Sequence, residues 1–191
     1  AAGPTSDLWH VQCQAARVKL AAGGDGREQT AEEIVLTDKV SVGNGEYAGA
    51  CRQVTWRSLN SYFKAEAEPG QRLLVRRGED VLQAETLERI SLTQMILLGR
   101  VDVVTRPQGA AGRPPVHLTA GRMDVAFADD GEALAKVVAS ESPRFEQDAV
   151  QGEGDSITWL QESASVLMEG RPARVAQGED VLTADKIIYY R

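Results

Sequence analysis

One phrase is written twice in this chain: "GEDVLQAETLERIS" fills residues 78–91 and "GEDVLTADKIIYYR" fills residues 178–191. A repeated unit constrains a fold more than any single motif, because each copy has to bury the same face in the same way. Anchored on its small residue, the unit reads Leu82-Gln83-Ala84 followed by Leu87 and Arg89, and Leu182-Thr183-Ala184 followed by Ile187 and Tyr189. Further copies stand at Leu118-Thr119-Ala120 with Met123 and Val125, and at Cys13-Gln14-Ala15 with Val18 and Leu20. A looser fifth, Gly49-Ala50-Cys51 with Val54 and Trp56, puts a cysteine in the small slot. Side chains two apart share one face of a strand, so the odd three-residue step after the small residue predicts a bend or bulge.

A second phrase alternates with the first: "VLTDKVSV" at 35–42, "ILLGRVDV" at 96–103 and "VLMEGRPARV" at 166–175. Each is an apolar run into a turn and out again into alternation. In the middle copy Val101 and Val103 share a face and Asp102 takes the other, which is the period of a strand. Asn44-Gly45 and Asp130-Gly131 supply the positive φ that tight hairpins need. Residues 29–36 and 131–140 contain enough helix formers to compete. The second of these alternates Leu134, Lys136 and Val138 against Ala135, Val137 and Ala139 until Ser142-Pro143 stops it, and both are read as strands. The Pro- and Gly-rich residues 106–115 carry no period and are read as a long connection. Short strands joined by turns instead of crossover helices predict an all-β sandwich, barrel or jelly roll, with the small and apolar positions of each copy laid into one interior.

Charge narrows the partners. With 28 acidic against 21 basic residues and a net charge of −7, the chain lacks the basic footprint that phosphate-backbone binding demands, so no nucleic-acid partner is expected. No apolar run approaches the roughly 20 residues of a membrane helix. The opening "AAGPTSDLWH" has neither the basic n-region nor the apolar core of an export signal, a start shared by mature exported proteins and cytoplasmic ones. Cys13 and Cys51 allow one disulfide without demanding it.

The run "SPRFEQDAVQGEGDSITWLQESASVLMEGRPARVAQGEDVLTADKIIYYR" at 142–191 resembles the OstA/LptA-like domain of bacterial lipopolysaccharide transport. The shared grammar is a Phe-x-Gln element, a Gly-rich step, a "D-x-I-x-aromatic" strand, an apolar approach to Gly, and "L-x-A-D-K-I-x-Y". The likeness extends more loosely over 78–138, and "LWHVQCQAARVKL" is similar to the family's opening strand. Where the family has a Gly-Asn turn, this chain has "EGRP" at 169–172. The resemblance implies an elongated, twisted antiparallel β-jelly roll spanning 1–191, in which residues 1–77 either add strands to the roll or form a partial second one. The repeat copies at Ala15 and Cys51 favour added strands. It further implies a periplasmic protein that binds the acyl chains of lipid A in an apolar groove, bridges inner and outer membranes, and meets related jelly rolls, or copies of itself end to end, at sheet edges. Open edges are templates for added strands, which agrees with that picture. By family correspondence Phe145 and Trp159 face the groove, and Trp9 and Val11 lie on the opening strand near its mouth. Ile187 and Tyr189 join them from periodicity alone. An aromatic on the apolar face of a strand is ordinarily core, and in a lipid-binding roll the two roles partly merge.

An enzyme is the weaker alternative. "GDSIT" around Ser156 lacks the second glycine and following helix of a nucleophile elbow. His10 and His117 are the available imidazoles, and "HVQC" lacks the further ligands of a zinc site. Asp129 and Asp130 are adjacent and read as a turn, and "RGED" and "QGED" lack calcium-loop spacing. Neither metal nor cofactor is expected. The remaining rivals are a self-assembling β-repeat protein without ligand and a carbohydrate-active enzyme on a jelly-roll scaffold.

Overall fold

The computed structural model describes residues 9–21, 30–44, 47–58, 62–105, 114–129, 131, 134–163 and 165–190. Gly45, Asp130 and residues 106–113 of the expected connection lie outside that set. In chain order the strands are β1 (His10–Gln12), β2 (Ala15–Leu20), β3 (Ala31–Gly43), β4 (Tyr47–Arg57), β5 (Tyr62–Glu66), β6 (Leu73–Arg77), β7 (Asp80–Ala84) and β8 (Thr86–Ser91). They continue as β9 (Gln94–Thr105), β10 (Val116–Phe127), β11 (Leu134–Ser140), β12 (Arg144–Gln147), β13 (Val150–Glu153), β14 (Ser156–Leu160), β15 (Ser165–Gln177) and β16 (Asp180–Tyr190). All are hydrogen-bonded into one antiparallel sheet. Of the two segments with competing helix propensity, residues 31–36 lie within β3 and residues 134–140 form β11. Cross-strand packing overrides a propensity worth only tenths of a kcal/mol per residue.

Long strands carry the architecture. Along one side β9 pairs with β10 throughout, while along the other its first half pairs with β8 and its second with β7. In the same way β10 divides between β12 and β11, β15 between β13 and β14, β4 between β6 and β5, and β3 between β1 and β2. Each long strand bends at its middle, so the sheet folds over into two facing layers joined along a spine of corners. The first layer, made of the first halves of β3, β9 and β15 and the second halves of β4, β10 and β16, runs β2-β3-β4-β5-β8-β9-β10-β11-β14-β15-β16, and the second layer runs β1-β3-β4-β6-β7-β9-β10-β12-β13-β15-β16.

The second sequence phrase marks these corners, and there the expectation changes. The chain does not reverse at Asp38-Lys39, Gly99-Arg100 or 169–172; it bends and continues as the same strand. Asp38 (φ 63°) and Lys39 (φ 53°), then Gly99 (φ 73°) and Arg100 (φ 46°), take left-handed backbone, which inserts the bulge. At the third corner β15 runs through a cis Arg171-Pro172 bond, and its register with β16 slips between Glu169 and Ala173. Gly99 has a second reason to be glycine, since a Cβ there would stand 2.6 Å from the Glu85 carboxylate. Glu85 in turn accepts from Arg100 Nε at 2.7 Å.

The first phrase marks the partner corners. The N–H of Glu85 donates to the carbonyls of Leu98 (2.9 Å) and Gly99 (3.0 Å), and that of Gly121 to Glu141 (2.9 Å). Ala84 and Ala120, just before these bends, are buried where the layers converge. In the first copy the bend comes earlier than the sequence reading has it. Gln14 N–H donates to Thr37 and Asp38, so Cys13, not Ala15, occupies the place of Ala84. Period-two residues slide past one another unnoticed in a sequence, and only the corner hydrogen bonds fix the phase. Between the layers Leu97, Val101, Met123, Ile157 and Met168 are sealed to 1% exposure or less, each burial stabilising the fold by about 1.5–3 kcal/mol.

Candidate functional site

Direct antiparallel partners share a face, so register alone traces what lines the space between the layers. Beyond the corners the first layer presents Val18, Ile34, Trp56, Phe63, Arg89, Met95, Val125, Val137, Trp159, Val166 and Tyr189, each the cross-strand partner of the next. Opposite it runs Val11, Val42, Gly49, Val75, Leu82, Val103, Leu118, Phe145, Gly152, Val175 and Leu182. Two apolar rows face each other along the whole assembly of strands. Arg89 is the single charged member, and its guanidinium is turned to the rim: it donates to the carbonyls of Ser91 (3.2 Å), Leu92 (2.6 Å) and Gly131 (2.9 Å) and lies over the Phe127 ring.

Of the residues singled out from sequence, Phe145, Trp159 and Tyr189 come together. The Phe145 ring meets Tyr189 across the two layers at 5.9 Å between centroids, tilted by 54°. A space of about 10 Å³ is left between Val116, Leu118 and Phe145 on one layer and Ile157, Trp159 and Val166 on the other, room for about one water. Ile187 is buried one row nearer the corners, as the cross-strand partner of Met168. Trp9 and Val11 are remote from this group, at the N-terminal edge. They are half exposed, at 55% and 51%, and Trp9 stacks on Tyr47 at 6.1 Å.

Sequence reasoning missed Arg89 and Met168. Arg89 was visible as the one departure from apolar character at the last position of its repeat copy. Met168 carried no signal, because its importance depends on Gly152 in the opposite layer. A Cβ on Gly152 would fall on the Met168 sulfur, so the missing side chain is the socket for a thioether from across the interior. The two thiols are free. Cys51 pairs with Val40 on β3, and Cys13 lies on the far side of that strand. Two strand spacings, roughly 9–10 Å, separate them, and a disulfide does not span that distance. Burial pushes the Cys51 thiol up to about 11, and its S–H donates to the Gln53 carbonyl.

The outer surface is a different chemistry. A concavity of about 290 Å³ is lined by His117, Arg144, Glu146, Glu153 and Arg174, which alternate with Leu118, Phe145, Gly152 and Val175, and it also borders Phe145 and Gly152. His117 Nε2 lies 2.9 Å from Asp102 Oδ1, which shares its carboxylate with Arg72 at 3.2 Å. Among the described residues no group of three or more His, Cys, Asp or Glu is placed to hold a metal ion.

The outer faces are polar, and the two rows that face each other inside are apolar apart from Arg89. The family model described as "LptA/(LptD N-terminal domain) LPS transport protein" matches residues 73–191, more than half of the chain. The chain belongs to this lipopolysaccharide-transport family. The family match begins at β6, and the same sheet continues through β3, β4 and β5. A comparison with curated proteins returned no match. No helix among the described residues is long and apolar enough to cross a membrane.

Proposed function

We propose that this chain carries lipopolysaccharide through the periplasm, holding the acyl chains of lipid A between its two layers and linking inner and outer membranes. The observation that carries the reading is the pair of facing rows, apolar at every position but Arg89. An acyl chain gains about 0.8 kcal/mol for each methylene taken out of water, so an uninterrupted apolar interior favours it over any polar cargo. No bond is made or broken, and no cofactor takes part. In this reading β1 to β5 lengthen the same groove by further strands.

The ends of the sheet support the linking role. Among the described residues β16 pairs with β15 alone and exposes Val181, Leu182, Ile188 and Tyr190; β1 and β2 at the other end are exposed throughout. Such edges accept strands of a second jelly roll, from a partner of the same transport line or another copy of this chain. In this reading Trp9 and Val11 stand at the joint, and Phe145, Trp159, Ile187 and Tyr189 lie within the groove.

The test is photo-crosslinking to purified lipopolysaccharide, with a benzophenone amino acid at Val75 on the inner row and at Lys136 on the outer face. Adducts at Val75 and none at Lys136 are expected. Equal yields at the two positions, or none at Val75 in folded protein, would sink the proposal and favour a ligand-free assembly.

A further inference from the structure

The facing rows are not equally covered along their length. From β4 through β9, Phe63 and Met95 on one layer and Val75, Leu82 and Val103 on the other are only partly buried. From β10 through β15, Val125, Val137, Val166, Leu118 and Phe145 are buried, with Phe145 at 2%, and Trp159 between Val137 and Val166 is left partly buried. Beyond them Val175 is again partly buried and Leu182 is 57% exposed. The interior is therefore open over one stretch, shut over the next, and open again at the C-terminal edge.

The shut stretch has a specific construction. Phe145 lies opposite Gly152 in register, and the absent side chain there leaves a socket that the Met168 sulfur enters from the facing layer. Tyr189, from the same layer as Met168, closes over the Phe145 ring. The cavity left there, about 10 Å³, has room for about one water and not for a run of methylenes, so an acyl chain passes Phe145 only if the ring swings away or the layers part.

We propose that Phe145, backed by Met168 and covered by Tyr189, is a barrier that divides the groove and determines how far along it an acyl chain can lie. This rests on the lipid-carrying reading above and adds to it a resting place: the chain lies over the strands up to β9 with its end against Phe145. Phe145 is then a specificity-determining residue, since it sets the length of apolar ligand the open stretch takes before the layers have to move.

Benzophenone placed at Val103, before the barrier, and at Val175, beyond it, tests this with purified lipopolysaccharide and the whole chain. The expected result is adduct formation at Val103 and roughly tenfold less, or lower still, at Val175. Phe145→Ala raises the Val175 yield to within about threefold of Val103. Phe145→Leu, which keeps most of the buried area, and Tyr189→Ala serve as second and third variants, with strand content followed by circular dichroism. Equal yields at both positions in the parent protein, or no rise at Val175 in any folded variant, would overturn the barrier and leave the lipid-carrying reading standing. No adduct at Val103 in parent or variants would overturn both.

Discussion

Replacing Gly152 by alanine should test the interlock of the two layers more directly than any deletion. The new methyl falls where the Met168 sulfur now sits, and Met168 is itself fully buried. Overpacking of this kind costs about 1–3 kcal/mol, which exceeds the roughly 0.5–1 kcal/mol that alanine regains over glycine in backbone entropy. Met168→Ala alone empties the socket and costs about 2–5 kcal/mol. In the double variant the methyl introduced by Gly152→Ala occupies part of the vacated space, so the pair should cost at least about 1 kcal/mol less than the sum of the singles. Equilibrium unfolding in urea measures all four proteins, provided the denaturant slope is unchanged. Additivity within about 0.5 kcal/mol, or a stabilising Gly152→Ala, would refute the claim that a side chain of one layer seats against the backbone of the other.

Two titrations follow from the local chemistry. Cys51, held up to about 11 by burial, should be alkylated at pH 8 roughly a hundredfold more slowly than an unhindered thiol, because the thiolate is the reactive form; fast modification would show that the strand pair around it opens. Asp124 is held below its ordinary value, first by the hydrogen bonds from Arg122 (2.6 and 2.8 Å). A depressed carboxylate contributes stability above its unfolded value near 3.9 that is lost as pH falls through its folded value. Parent and Asp124→Asn should therefore differ near neutral pH by under about 1 kcal/mol, given the half-exposed setting, and converge as the pH falls through the lowered folded value of Asp124. A difference that persists at low pH would show that the ion pair is not its source.

Much of the fold can be read from the sequence because one alternation is repeated with one defect. The three-residue step from Ala84 to Leu87, from Ala120 to Met123 and from Ala184 to Ile187 is the corner, whereas the choice of a jelly roll among all-β folds rests on the family resemblance. What the sequence hides is phase and depth. Asp38-Lys39 and Gly99-Arg100 look like reversals, since turn residues announce a positive φ but not whether the chain returns or merely bends. The first repeat copy slips by two residues, which alternation cannot register. At the candidate site Phe145 and Trp159 are marked by the family correspondence and Tyr189 by its place in the alternation, while the register alone shows which of them meet across the layers. Met168 and Gly152 carry no such mark, since their relation exists only across the gap between layers, a distance that no spacing along the chain encodes.

The corners also constrain how such a chain can change in length. Each long strand serves both layers, and the bend at its middle sets the phase of one half against the other. Insertion of a single residue between Leu98 and Val101 would leave Gln94 to Leu98 in place while turning Val101, Val103 and Thr105 outward and Asp102 inward. One layer would be turned inside out and the other spared. Whole hairpins, by contrast, can be appended at either end without disturbing a single existing pair. A lineage of such proteins can therefore drift in length by complete hairpin units but hardly at all by single residues at the bends.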